Sequence, residues 1–120
     1  MKMRRLLLQW LSLCLIFFAT NVSAQVGEAT ISWRELPREA RDVVLSIKHG
    51  GPFLYSRDGV VFGNYERRLP SQKRGYYHEY TVPTPGVNHR GARRIVSGGS
   101  PAREFYYSDD HYRSFKKIQE

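Results

Sequence analysis

Cysteine is almost absent from this chain: its 120 residues hold one, Cys14. A lone thiol makes no intrachain disulfide and no thiolate zinc site, so packing and hydrogen bonds must hold the fold together. Long apolar runs are scarce as well. The one present, Leu6 to Thr20, is broken by Gln9 and Ser12 and falls short of the roughly 20 apolar residues that a membrane-spanning helix needs. Acids are missing before Glu28, whereas Lys2, Arg4 and Arg5 precede the run and Val22-Ser23-Ala24 follows it. A positive start, a short apolar stretch and a small-residue cleavage site predict a secretory signal peptide over residues 1–24 and a single domain over 25–120.

Removing the signal changes the balance of charge. It carries three of the 19 Lys+Arg and none of the 11 acids, which leaves 16 cations against 11 acids, or +5 in place of +8. Cys14 departs with it. The remaining residues suffice for one small domain with one core. A basic exported domain suits a polyanionic partner, although the same charge also serves solubility.

Leu36 to His49 reads as the main helix. Pro37 fits a first turn, where its missing N–H would have no partner. Glu39 and Asp42 lie early and Lys48 and His49 late, in the order that the helix dipole favours. Ala40, Val43, Val44 and Ile47 form one apolar stripe, and Gly50-Gly51-Pro52 stops the helix. Five short strands are expected downstream, at Val60–Asn64, Tyr76–Val82, Ala92–Ser97, Glu104–Tyr107 and Ser114–Ile118, with turn signals between them. The fold class is α+β: one N-terminal helix packed on one face of an antiparallel sheet, with the other face open.

The stretch GYYHEYTV places a carboxylate, Glu79, within a strand. Alternation puts Tyr77, Glu79 and Thr81 on one face, and in RGARRIV it groups Arg90, Ala92 and Arg94. If the two strands pair with these faces matched, a carboxylate meets two guanidiniums. The sequence leaves the register open, and a surface ion pair of little worth is the alternative.

The segments GPFLYSRDGVVFGNYERRLP, GYYHEYTVPTPG, RGARRI and YYSDDHY, in this order, resemble the small secreted microbial guanyl-specific ribonucleases, the barnase-like family. The similarity runs from Leu36-Pro37 to Phe115. It implies that Glu79 is the general base, His111 the general acid, Arg90 and Arg94 the phosphate-binding arginines, and Tyr112 a further phosphate contact. It also implies that Glu66 reads guanine N1–H and N2–H, that Phe62 packs against the base, and that Asn64 holds the recognition loop open. The chemistry needs these types. RNA supplies its own nucleophile in the ribose 2′-hydroxyl, and an acid–base pair moves the two protons, each transfer being worth ~10²–10⁴-fold. Guanidiniums match phosphate oxygens in number and plane. No metal or other cofactor is required.

The substrate so implied is single-stranded RNA, cut 3′ of guanosine through a 2′,3′-cyclic phosphate. The expected protein is a monomer, secreted or periplasmic, with no stable membrane association once its signal is cleaved. An acidic, barstar-like inhibitor in the producing cell fits a toxic product. Gly63 and Tyr65 depart from the family, which carries larger polar or basic residues there, commonly arginine at the position of Tyr65; this bears on the substrate contact expected of Tyr65, and Arg67 and Arg68 are the candidates to substitute for that arginine. Ser32 stands near the place of a cysteine that some members have. Two other readings compete: a non-catalytic RNA-binding module that keeps the fold, and an exported structural protein using its charge on acidic surfaces. Neither needs the acid–base pair. His89, beside Arg90, is the rival general acid, and His49 and His78 are read as structural.

Overall fold

The structure is a computed structural model and describes residues 28–120; the expected signal peptide and its cleavage site lie outside them. The expected helix and all five expected strands are present, with shifted ends, and a sixth strand joins them. In chain order the elements are β1 (Thr30–Ser32), a 3-10 turn (Trp33–Glu35), helix α1 (Arg38–His49), β2 (Val60–Val61), β3 (Tyr77–Thr81), β4 (Arg94–Gly98), β5 (Glu104–Ser108) and β6 (Lys116–Gln119). The sheet order is β1-β6-β5-β4-β3-β2. Every pairing is antiparallel except that of β1 with β6, which sets Ile31 against Ile118.

Helix α1 begins two residues later than its sequence pattern suggests. Pro37 is extended at φ −54°, ψ 146°, and its carbonyl accepts the first bonds, from Ala40 N at 3.0 Å and Arg41 N at 3.1 Å. Leu36 drops into the core instead, 3% exposed. The C-terminus follows expectation: Gly50 takes φ 82°, a left-handed value that costs a side chain energy and glycine nothing. The stripe packs as expected, Ala40 and Val44 fully, Val43 and Ile47 in part.

Helix α1 lies against β4. Its side of the sheet contributes Tyr80, Val82, Ile95, Phe105, Tyr107 and Ile118 to the main core. The opposite face is less open than expected. Leu69 reaches over it and buries Tyr77, Val96 and Tyr106 in a second cluster, edged by Phe62, Tyr76, Tyr112 and Phe115. β4 is consequently buried along its whole length. The remaining open surface is a cleft beside Glu79.

Three strand ends moved for identifiable reasons. β2 stops at Val61 because Asn64 turns left-handed at φ 52° and binds Leu69 through its side chain, with Phe62 N still donating to Tyr77 O at 2.9 Å. β4 starts at Arg94 because Gly91, at φ 68°, breaks the extension before it. β6 starts at Lys116 because Ser114 is tied to Asp110.

Candidate active site

The register meets the condition posed by the sequence. Glu79 stands opposite Val96 and Thr81 opposite Arg94, so the odd-numbered face of β3 and the even-numbered face of β4 coincide. Arg90 closes on the same face, donating from Nε at 3.1 Å and Nη2 at 2.7 Å to Thr81 Oγ1. Glu79 lines a cleft of about 390 Å³ together with Phe62, Glu66, His111 and Tyr112. Arg90 and Arg94 are not among its lining residues. Arg94 meets the cleft through the Tyr112 hydroxyl, whereas Arg90 is held on Thr81, two residues along β3 from Glu79.

Arg94 is the most constrained cation of the group. It is 2% exposed, and its Nη1 donates to Gly91 O at 3.0 Å and Arg93 O at 2.8 Å, while its Nε donates to the Tyr112 hydroxyl at 3.2 Å. Among the described residues no carboxylate lies within 4.0 Å of Arg94 or Arg90. A buried charge is ordinarily paired. A guanidinium held by neutral carbonyls keeps its charge uncompensated and attracts an anion. Tyr112 lies between this cation and Glu79. Burial raises its hydroxyl pKa, and the Glu79 charge raises it further against the opposing pull of Arg94, so it stays a protonated donor.

His111 sits on a strained turn. His111 and Tyr112 take φ 54° and 70°, a region that non-glycine residues enter only when their surroundings hold them there. Those surroundings are specific. His111 N donates to Ala92 O at 3.0 Å and Tyr112 N to Ser108 Oγ at 3.0 Å. Asp110 ties the ends together, accepting from Ser108 Oγ and Ser114 N at 2.9 Å each and from Ser114 Oγ at 2.5 Å. Led by the Ser114 hydroxyl, these bonds hold the Asp110 carboxyl down at about 2. His89, the rival acid, lies on the loop before Gly91, where its Nδ1 accepts the Gly91 N–H at 3.0 Å.

The loop from Phe62 to Leu69 forms the other wall. Asn64 braces it, its Nδ2 donating to Leu69 O at 3.0 Å and its Oδ1 accepting from Leu69 N at 3.1 Å. Phe62 stacks on Tyr112 with centroids 5.2 Å apart and planes 24° apart, so the loop wall and the His111 turn share an aromatic contact. Glu66 points outward, with 70% of its side chain exposed, and pairs with Arg68. The two departures from the family pattern explain each other. A Cβ on Gly63 would come within 2.4 Å of the Tyr65 ring, which lies over that glycine while its hydroxyl accepts from Arg74 Nη1 at 2.8 Å. Arg74 therefore has a partner.

Two further cations stand at the cleft: Arg57, which the sequence reading gave no role beyond its turn, and Arg68, which it offered only as a substitute for the family arginine absent at Tyr65. Arg57 places Nη2 3.9 Å from Glu79 Oε1. The turn that carries it is pinned by Asp58, whose carboxylate accepts Thr81 N at 2.8 Å and Tyr55 N at 3.1 Å. Its position just ahead of a turn and of a strand that pairs with β3 was the available signal. Arg68 donates to Tyr112 O at 3.1 Å, which no local pattern announces.

Comparison with known proteins identifies the family. A ribonuclease family profile matches residues 19–119. Guanyl-specific ribonuclease Sa of Kitasatospora aureofaciens is 52% identical over 91 residues, 76% of this chain and 94% of that protein. Guanyl-specific ribonuclease Sa3 of the same organism is 52% identical over 88 residues, 73% of this chain and 62% of Sa3, less than two thirds of its length. Guanyl-specific ribonuclease St of Saccharopolyspora erythraea is 51% identical over 90 residues, 75% of this chain and 87% of St. Among solved structures, ribonuclease Sa2 in complexes with mononucleotides superposes with a TM-score of 0.75 at 48% identity, covering 80% of this chain and 98% of Sa2. A second Sa2 structure, with guanosine-2′-cyclophosphate, gives a TM-score of 0.71 at 48% identity over 78% of this chain and 97% of its own. By sequence and by fold, this chain belongs to the microbial ribonuclease family.

Proposed function

We propose that this ribonuclease cuts single-stranded RNA on the 3′ side of guanosine, using Glu79 and His111 as the proton-transferring pair. The observation that carries the reading is Arg94, a buried guanidinium without a carboxylate partner, set one strand away from Glu79 beside a cleft that His111 also lines. Glu79 takes the 2′-hydroxyl proton as the 2′-oxygen attacks phosphorus. Arg90, Arg94 and the Tyr112 hydroxyl bind the charge that builds on the phosphoryl oxygens. His111 gives its proton to the departing 5′-oxygen, leaving a 2′,3′-cyclic phosphate on guanosine. In the second step His111 accepts a proton from water, the hydroxide adds to phosphorus, and Glu79 returns its proton to the 2′-oxygen; the product is a 3′-phosphate. Sa2 has been crystallised with a guanosine cyclophosphate and with 3′-GMP, the two product types of such a sequence.

Glu66 selects the base. Guanine alone offers two adjacent donors beside an acceptor on that edge, so one outward carboxylate and the backbone of the 62–65 loop suffice. Phe62 packs against the base, Asn64 keeps the loop in shape, and the exposed Tyr65 ring supplies apolar surface at the cleft mouth. Export through the signal at residues 1–24, a monomeric state and neutralisation by an acidic protein inhibitor belong to the same reading. Digestion of a short RNA containing all four bases, with fragment sequencing and identification of the 3′ ends, tests the proposal. Cuts after guanosine, ending first in cyclic phosphate and later in 3′-phosphate, are expected; Glu66→Gln should relax the base preference more than it lowers turnover. Fragments ending in 3′-hydroxyl groups, or a Glu66→Gln enzyme as guanine-selective as its parent, would defeat it.

A further inference from the structure

We propose that Arg68 is a positioning residue that couples base recognition to the general acid. The inference rests on the roles assigned above to Glu66 and His111. One nitrogen of Arg68, Nη1, contacts Glu66 Oε2 and also donates to the Tyr112 carbonyl at 3.1 Å. The contact with Glu66 is an ion pair and that with Tyr112 a hydrogen bond, so one nitrogen meets both groups, and the pair engages Glu66 through Oε2, leaving Oε1 toward the base. The guanidinium thus bridges the carboxylate that reads guanine and the strained peptide that presents His111.

Both ends of the bridge need it. The Glu66 side chain is 70% exposed, and without a partner its carboxylate would spread over several rotamers, losing orientation before guanine arrives. At the other end, His111 and Tyr112 sit side by side at φ 54° and 70°. A conformation of that kind persists only where bonds hold it, and Arg68 holds the Tyr112 carbonyl. The bridge has a firm root. Arg67, at φ 56°, donates its N–H to Asn64 O at 3.0 Å, and Leu69, 4% exposed, donates to Asn64 Oδ1 at 3.1 Å. Arg68 therefore springs from a segment clamped on both sides. An exposed ion pair by itself contributes little; one donor nitrogen shared between two functional loops acts through geometry.

The test compares turnover of GpC and ApC by the parent enzyme and by Arg68→Ala, Arg68→Lys, Glu66→Gln and Glu66→Gln/Arg68→Ala variants, with thermal unfolding to confirm folding. Arg68→Ala should lower kcat about five- to tenfold on both substrates, the size of losing one ordinary, solvent-accessible hydrogen bond. It should raise KM severalfold for GpC alone. Arg68→Lys, which also offers several donors, should recover part of both losses. In the Glu66→Gln background the KM effect should vanish while the kcat effect persists. Arg68→Ala with kcat and the GpC/ApC ratio both within twofold of the parent overturns the proposal, as does a change in only one of them, since a bridge acts at both ends. Glu66→Gln by itself reports on the underlying assignment: if that variant keeps full guanine preference, the base-reading role fails whatever Arg68 does.

Discussion

Glu79 and Glu104 occupy the same face of the same sheet and are treated in opposite ways. Glu104 receives a hydrogen bond from each of two tyrosine hydroxyls, Tyr76 and Tyr106, with Lys117 Nζ 4.0 Å away. Burial raises its pKa, but the bonds from Tyr106 and Tyr76 outweigh that and hold it below the usual carboxylate value. Its effect on its partner is large: burial and the Glu104 carboxylate push the Tyr106 hydroxyl well above its ordinary range. Such a group is a structural acceptor with its lone pairs occupied. Glu79 has Arg57 at 3.9 Å and the Tyr112 hydroxyl, which also accepts from Arg94, and it opens onto a cleft. A carboxylate that must accept a proton during a reaction needs an unoccupied oxygen with a path to it, and of the two only Glu79 lines the cleft.

Exchanging each acid for its amide separates these roles. Glu79→Gln should lower kcat by about 10²–10⁴-fold with an unchanged unfolding midpoint, since one proton transfer loses its base; retained turnover in a folded variant would place the base elsewhere. Glu104→Gln should do the reverse, costing about 1–3 kcal/mol in urea unfolding through its weakened tyrosine bonds, with kcat within a few-fold of the parent. A third carboxylate, Asp110, sharpens the contrast through pH. Its pKa falls from an ordinary 3.8 to about 2 in the fold, so its contribution is complete above pH 4 and disappears as pH falls through 2. Asp110→Asn should flatten that part of the stability curve, measured by thermal unfolding between pH 2 and 5. The smallest effect is expected from Arg57→Gln. Arg57 is 62% exposed and 3.9 Å from Glu79, so its loss should reduce kcat/KM only about two- to fivefold, and less in high salt.

Much of this arrangement was legible in the sequence because it depends on period. The helix stripe and the faces of β3 and β4 follow from repeats of 3.6 and 2, and both came out as read. The register did not, because it depends on where loops let the strands meet. β1 escaped notice for a different reason: three residues carry no alternation, and their parallel partner lies at the far end of the chain. The second cluster was hidden because Leu69 enters it from a loop whose shape is set by Asn64. Arg57 was missed, and the partners of Arg68 were not foreseen, because a long side chain on a turn gives no sign of its direction until the turn is known. The resemblance to a family named Glu79, His111, Arg90 and Arg94. It offered Arg68 only as a substitute for the arginine absent at Tyr65, and it marked Gly63 and Tyr65 as separate departures, where the structure has them packed against each other.

The pairing of β1 with β6 has a temporal consequence. The first strand can find its neighbour only after residues 116–119 have been made, and the histidine turn lies just upstream of them. A nascent chain that stops before residue 116 lacks the closing strand, and one that stops before residue 111 lacks the imidazole as well. The sheet's closing edge and the imidazole are thus supplied within a few residues of one another.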